Sequence, residues 1–278
     1  MDISVGFIGG GNMAKALGFG MLKKNLLNPS NVHVSGPHIQ NLQPWKNLGV
    51  TNLYEKNYQL VCNCQIIFIC VKPQFFKTMT HDLEMEYEKS PIDLKNTVWV
   101  SIMAGVTLDK LKDALSFYTN PKIIRTMPNT PVEVGSGVIV YTPGSNVMQD
   151  EVLKVKTLLQ SISLCSEIPE NIINSASALS GSGPAYIYQV IEALADGGVK
   201  MGIPRALSNQ FAAQTVLGAA QMVLKSEKHP GLLKDEVCSP GGSTIAGVHE
   251  LEKIGIRNAF MNAVQAAKLR NDELGKQN

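Results

Sequence analysis

Ile3-Ser4-Val5-Gly6-Phe7-Ile8-Gly9-Gly10-Gly11-Asn12-Met13-Ala14 is the stretch on which the fold turns. Its first six residues read as a strand, and an amphipathic helical segment, 13–24, follows directly. Between them Gly9, Gly11 and Ala14 fit the pattern G-x-G-x-x-A. The first glycine permits a tight turn, the second lets backbone approach a pyrophosphate, and the alanine lets helix and strand pack closely. A helix that starts here offers free N–H groups and a positive dipole end to phosphate. The stretch predicts a dinucleotide seat on the turn from Gly9 to Ala14; an ordinary tight turn is the alternative.

Outward from this point the chain alternates. Apolar runs at 32–35, 65–71, 97–102, 122–126 and 137–141 read as strands, with helical stretches at 39–48, 75–83, 108–115 and 150–159. The unbroken run Ile66-Ile67-Phe68-Ile69-Cys70-Val71 suits a strand buried on both faces of a parallel sheet. The alternation predicts a Rossmann-type doubly wound α/β domain over residues 1–168. Beyond it the periodicity becomes purely helical, at 185–201, 205–224, 244–253 and 257–274, with breaks at Gly183-Pro184 and Gly202-Ile203-Pro204. Residues 169–278 therefore read as an all-helical domain. Its small-residue runs, such as Leu217-Gly218-Ala219-Ala220, suit burial against another subunit, although packing within one chain would give a similar composition.

Composition narrows the function classes. Of 278 residues 44% are hydrophobic and 17% charged, which fits a folded chain with a large core. A net charge of +2 without any Lys/Arg run argues against nucleic acid or a membrane surface as partner. No apolar stretch approaches the roughly 18 residues of a membrane span. The N-terminus runs into a strand with neither a signal nor a transit pattern, so the expected location is cytoplasmic. Five cysteines without paired spacing and five histidines without a ligand motif predict free thiols and no metal.

Cofactor preference is read where the second strand ends. Ser35-Gly36-Pro37-His38 places no carboxylate there, so the stretch favours NADPH; no arginine clamps a 2′-phosphate, so NADH also remains a substrate. Cys70-Val71-Lys72-Pro73 and Ile102-Met103-Ala104 end the next two strands, where ligands of open α/β sheets bind. Pro128-Asn129-Thr130-Pro131 ends another as a rigid turn.

A second glycine-bearing turn, Ser239-Pro240-Gly241-Gly242-Ser243-Thr244, leads into a helix and presents N–H groups suited to a small anion. A plain N-cap at Ser243 or Thr244 accounts for the same residues equally well. The run from Leu233 through Thr244, with Gly6-Phe7-Ile8-Gly9, Val71-Lys72-Pro73, Met127-Pro128-Asn129-Thr130-Pro131, Leu179-Ser180-Gly181-Ser182-Gly183-Pro184-Ala185-Tyr186 and Ala195-Asp196-Gly197-Gly198-Val199, resembles the pyrroline-5-carboxylate reductases in order and over nearly the whole chain.

The resemblance implies a Rossmann domain at 1–168 followed by a helical substrate-binding and dimerisation domain at 169–278, and reduction of 1-pyrroline-5-carboxylate to proline by NADPH or NADH, in a homodimer assembled into a larger ring, with a decamer expected. It places cofactor contacts on Ile8 to Met13, Ser35, Gly36, Asn57, Cys70 to Pro73 and Ile102 to Ala104, and substrate contacts on Glu227, Ser243 and Thr244. Ser182 shapes the pocket floor, and the Thr244 hydroxyl is expected to meet the ring nitrogen. Where some members carry a cofactor-contacting Asn this chain has Glu236, which is left outside the site. The chain also lacks the long polar tail of some animal mitochondrial forms and so resembles the shorter cytosolic type. Two other readings are a β-hydroxyacid dehydrogenase, which needs a helix lysine such as Lys200 or Lys225, and a dinucleotide-binding redox sensor without catalysis.

Overall fold

The computed structural model describes residues 2–277, with side chains through Gly275. The chain divides into two compact units, residues 1–181 with 267–278, and residues 182–266. The second unit thus begins 13 residues after the sequence-predicted boundary, and the chain's last turns belong to the first unit.

The first unit is built on eight strands: β1 (Val5–Ile8), β2 (Val32–Ser35), β3 (Asn52–Tyr54), β4 (Ile66–Ile69), β5 (Val98–Ser101), β6 (Lys122–Pro128), β7 (Gly137–Pro143) and β8 (Ser163–Glu167). Their order in the sheet is β3-β2-β1-β4-β5-β6-β7-β8, parallel throughout except for the antiparallel β6–β7 pair. The order reverses between β1 and β4, the topological switch where open α/β sheets bind ligands. Two strands, β3 and β8, escape the sequence reading; both are short, polar edges.

Alternate residues of each strand feed two cores. On one face Val5, Phe7, Val34, Phe68 and Val100 pack with Leu17 and Met21 of α1 (Asn12–Lys23), Trp45 of α2 (Gln43–Lys46) and Val155, Leu158 and Leu159 of α6 (Gln149–Gln160). On the other, Ile8, Ile67, Ile69 and Trp99 pack with Leu60 of α3 (Asn57–Val61), Phe76, Met79 and Leu83 of α4 (Phe76–Lys89) and Leu111 of α5 (Leu108–Ala114). Each such side chain, fully removed from water, contributes on the order of 1.5–3 kcal/mol, so the helices are held flat on a rigid sheet whose carboxyl edge is free for function. Arg125 of β6, almost fully buried, donates to Glu170 Oε1 at 2.9 Å and to Asn174 Oδ1 at 3.2 Å. Asn174, on α7 (Ile173–Ala176), in turn donates to Asp272 at 3.0 Å, and a π-helical turn at Ser177–Gly181 follows. Asp272 lies on α12 (Ile256–Gln277), whose end is docked to the sheet domain in this way.

The second unit holds α8 (Gly183–Lys200), α9 (Arg205–Ser226), α10 (Pro230–Val237), α11 (Ser243–Lys253) and the start of α12. Small residues bring α8 and α9 together: Ser208 Oγ donates to the carbonyl of Ala195 at 2.6 Å, and a Cβ on Gly198 would stand 2.2 Å from that hydroxyl. Little else in the unit is buried. Phe211, Met222, Leu224, Ile254 and Met261 are exposed, Ile254 by 78%. No helix among the described residues is long and apolar enough to cross a membrane.

Candidate active site

The loop after β1 is fixed by its own backbone. The N–H groups of Gly9 and Gly10 donate to the carbonyl of Ser35 at 2.9 and 3.2 Å, tying the turn to the end of β2. Gly9 has φ +92°, and a Cβ there would press within 3.2 Å of the Cys70–Val71 peptide, so the turn needs a glycine twice over. Gly11 caps α1 without a side chain. A Cβ built on Gly11 meets nothing within 4 Å, so this glycine leaves open the space that a pyrophosphate approaching the helix N-terminus requires. Ala14, 1% exposed, packs the helix onto the sheet.

A cleft of about 610 Å³ opens at this point. Gly9, Gly10, Gly11, Gly36, Asn57, Cys70 and Val71 all line it, so seven of the cofactor positions read from sequence converge on one cavity at the switch point. Ser35 lies beneath, fully buried, its hydroxyl donating to Asn57 Oδ1 at 2.8 Å. Ile8 is also fully buried, so it faces the loop through backbone alone. Asn12 and Met13 line a neighbouring hollow with Thr130 and Glu133. Lys72 and Pro73 continue from the lining into a 3-10 turn, and Lys72 is exposed. Ile102, Met103 and Ala104 follow β5 and lie outside the cleft lining; the Met103 side chain is buried in the core. Burial pushes the Cys70 thiol well above the ordinary thiol range, so it lines the cleft as a neutral, unreactive group.

The sequence reading missed several lining residues. Phe75, which precedes α4 as its N-cap, and Thr78, Met79 and Asp82 on the helix stand at i, i+3, i+4 and i+7 and line the cleft together. Lys15 follows Gly11 by one turn. Glu55 enters directly after β3, one of the two strands the sequence did not disclose. Thus, although β2 ends without an acid, two carboxylates line the same cleft.

In the second unit the turn before α11 is capped by Gly242, with extended φ and ψ and no side-chain cap. Ser243 and Thr244 are therefore the first two helical residues, not N-caps, and both are exposed. Their N–H groups belong to the set that no helical carbonyl can reach. Glu227 follows α9 in the left-handed region at φ 57°, a conformation that costs a non-glycine residue about 1–2 kcal/mol. Ser182 is the half-buried residue before α8, with Pro184 in that helix's first turn. Glu236 is occupied by Lys228, at 2.6 Å.

Residues 170–274 match the family described as "Pyrroline-5-carboxylate reductase dimerisation", and residues 4–105 match "NADP oxidoreductase coenzyme F420-dependent". A pyrroline-5-carboxylate reductase 3 from Xenopus laevis is 41% identical over 276 residues, 99% of this chain and 97% of its own. The chain belongs to the pyrroline-5-carboxylate reductase family. A reductase of this family from Arabidopsis thaliana is 40% identical over 99% of this chain and 96% of its own. The crystal structure of a Plasmodium falciparum pyrroline carboxylate reductase with NADP bound superposes with a TM-score of 0.87 at 34% identity, covering 99% of this chain and 98% of that one. Family membership accounts for the Rossmann-like sheet followed by a helical region and for an oxidoreductase using NAD(P).

Proposed function

We propose that this chain reduces 1-pyrroline-5-carboxylate to proline, with NADPH or NADH as reductant, in the cytosol. The observation that carries the reading is similarity over almost the entire chain to reductases named for that substrate. A dinucleotide held in the 610 Å³ cleft would supply the hydride. Gly9 to Gly11 would seat its pyrophosphate, Gly36 and Asn57 its adenosine end, and Cys70 and Val71 the remainder; Lys72, Pro73 and Ile102 to Ala104, outside the lining, would contribute from the adjoining strand ends.

The substrate offers a C=N bond and a carboxylate on one ring. A hydride added at the imine carbon, the ring carbon doubly bonded to nitrogen, converts the protonated C=N to C–NH, with the nitrogen's proton coming with the substrate or from water, so the protein's task is mainly positioning. The N–H groups of Ser243 and Thr244 grip the carboxylate, and the Thr244 hydroxyl meets the ring nitrogen. Glu227 and Ser182 complete the substrate pocket. The exposed apolar side chains of the second unit form the interface of a homodimer, and dimers assemble further into a ring, with a decamer as the expected size. The decisive assay follows absorbance of NADPH and of NADH with pyrroline-5-carboxylate as acceptor. A folded sample that binds dinucleotide yet does not consume it would overturn the assignment.

A further inference from the structure

In a doubly wound sheet the acid that receives the ribose 2′-hydroxyl stands at the end of the second strand, where this chain has Ser35. The structure places a carboxylate beside that point from another strand. Ser35 pairs with Tyr54 in the β2–β3 ladder, and the N–H of Gly36 donates to the carbonyl of Tyr54 at 3.0 Å. Glu55 is the next residue, so it leaves β3 at the same carboxyl edge and lines the cleft with Gly36, His38 and Asn57. Asn57, two residues on, already accepts the Ser35 hydroxyl through Oδ1, which leaves its amide nitrogen as the donor. Among the described residues no cation pairs with Glu55, and the adjacent Lys56 reaches Glu86 instead, at 3.7 Å. An exposed carboxylate without a partner, on the wall of an anion-binding cleft, works against phosphate unless it has a task there.

We propose that Glu55 sets the balance between the two nicotinamide cofactors: it accepts the ribose hydroxyl of NADH and repels the 2′-phosphate of NADPH. Lys15 and His38 line the same cleft and oppose it, so the chain binds both cofactors where an unopposed acid would admit NADH alone. The acid comes from β3 rather than β2, which is why the strand-end sequence Ser35-Gly36-Pro37-His38 does not reveal it.

The proposal rests on the dinucleotide reading of the cleft, and fluorescence titration of NADPH and NADH without substrate tests the two separately. Glu55→Gln removes the charge at an exposed position and keeps the shape. It is expected to tighten NADPH binding by about three- to tenfold, as loss of one nearby like charge allows, and to leave NADH unchanged or weaker. The NADPH gain should shrink toward unity in 0.5 M salt, a readout insensitive to a merely structural role. Glu55→Asp, which keeps the charge, should behave as wild type. An unchanged ratio of the two dissociation constants in Glu55→Gln overturns the role of Glu55 alone. Failure of the wild type to bind either nucleotide overturns the cleft reading and the proposal together.

Discussion

Lys110 reaches from α5 to the last turn of α12 and donates through Nζ to the carbonyl oxygen of Gly275 at 2.6 Å. The contact satisfies one of the carbonyls a helix end leaves open. It also holds Gly275 against Gly105, whose left-handed φ of +76° and lack of a Cβ let the two backbones meet. Gly105 directly follows Ile102 to Ala104, so the chain's C-terminal turn buttresses a loop assigned to the cofactor. Lys110→Met keeps the apolar stem and loses the donor. We expect a loss of about 1–2 kcal/mol, seen as a Tm about 3–6 °C lower, with a higher Michaelis constant for NADPH. Unaltered melting would show that the turn is held by other contacts.

Gly10 and Gly11 look interchangeable in sequence, yet they answer to different constraints. A Cβ on Gly10 would lie 2.5 Å from Leu42 Cδ2 and 2.9 Å from Val34 Cγ1, inside the core. Gly10→Ala should therefore destabilise the fold by about 1–3 kcal/mol. Gly11→Ala meets no protein atom and should lose no more than about 1 kcal/mol as a poorer N-cap, while binding dinucleotide at least about tenfold more weakly because the methyl group occupies the phosphate approach. Calorimetry of both variants separates the effects; full-strength NADPH binding by Gly11→Ala would remove pyrophosphate from this loop.

His33, on β2 and almost buried, shares a hydrogen bond with the Tyr54 hydroxyl at 3.1 Å, with the two rings stacked. Burial holds the imidazole below its ordinary value of 6.5. The unfolded chain then binds the proton more readily than the folded one. The contribution of neutral His33 to stability is complete above pH 6.5 and is lost as pH falls through and below that value. Urea unfolding between pH 8 and pH 5 should show wild type losing stability more steeply than His33→Gln. Parallel slopes would assign the acid sensitivity to other groups.

Much of this architecture could be read directly from the chain. Strands β1, β4 and β5 are largely apolar runs with both faces covered, so pattern and burial agree; β2, Val32-His33-Val34-Ser35, alternates yet is buried on both faces. Asn52–Tyr54 and Ser163–Glu167 were not legible, since edge strands gain only one neighbour and carry polar residues that a loop would also carry. Missing β3 hid Glu55. The glycine turn after β1 was legible because its backbone demands it: Gly9 has φ +92° and packs against the Cys70–Val71 peptide. The wall formed by Phe75, Thr78, Met79 and Asp82 was not, since its residue types are those of any amphipathic helix and only the packing of α4 turns them toward the cleft.

Thr244 carries the chemical part of the proposed reaction, and its hydroxyl has no capping task to confound a substitution, because Gly242 caps α11 by backbone alone. Thr244→Ala should lower turnover about ten- to a hundredfold, the loss of one or two kcal/mol of transition-state contact. Melting and NADPH affinity should remain at wild-type values. Wild-type turnover and Michaelis constant in this variant would remove the hydroxyl from the mechanism.

Glu227 offers a sharper test, since function and stability should move in opposite directions. At φ 57° after α9 it occupies the position where helices commonly place glycine. A residue with no role beyond ending the helix would therefore be improved by Glu227→Gly, which relieves left-handed strain of about 1–2 kcal/mol, partly offset by the greater freedom of glycine in the unfolded chain. We expect that variant to melt at or slightly above the wild-type temperature while its Michaelis constant for pyrroline-5-carboxylate rises severalfold. Glu227→Gln, which keeps the strain and the side-chain length, should raise the constant without the stability gain. If Glu227→Gly is more stable and equally active, the strained backbone serves no substrate and the carboxylate belongs to solvent.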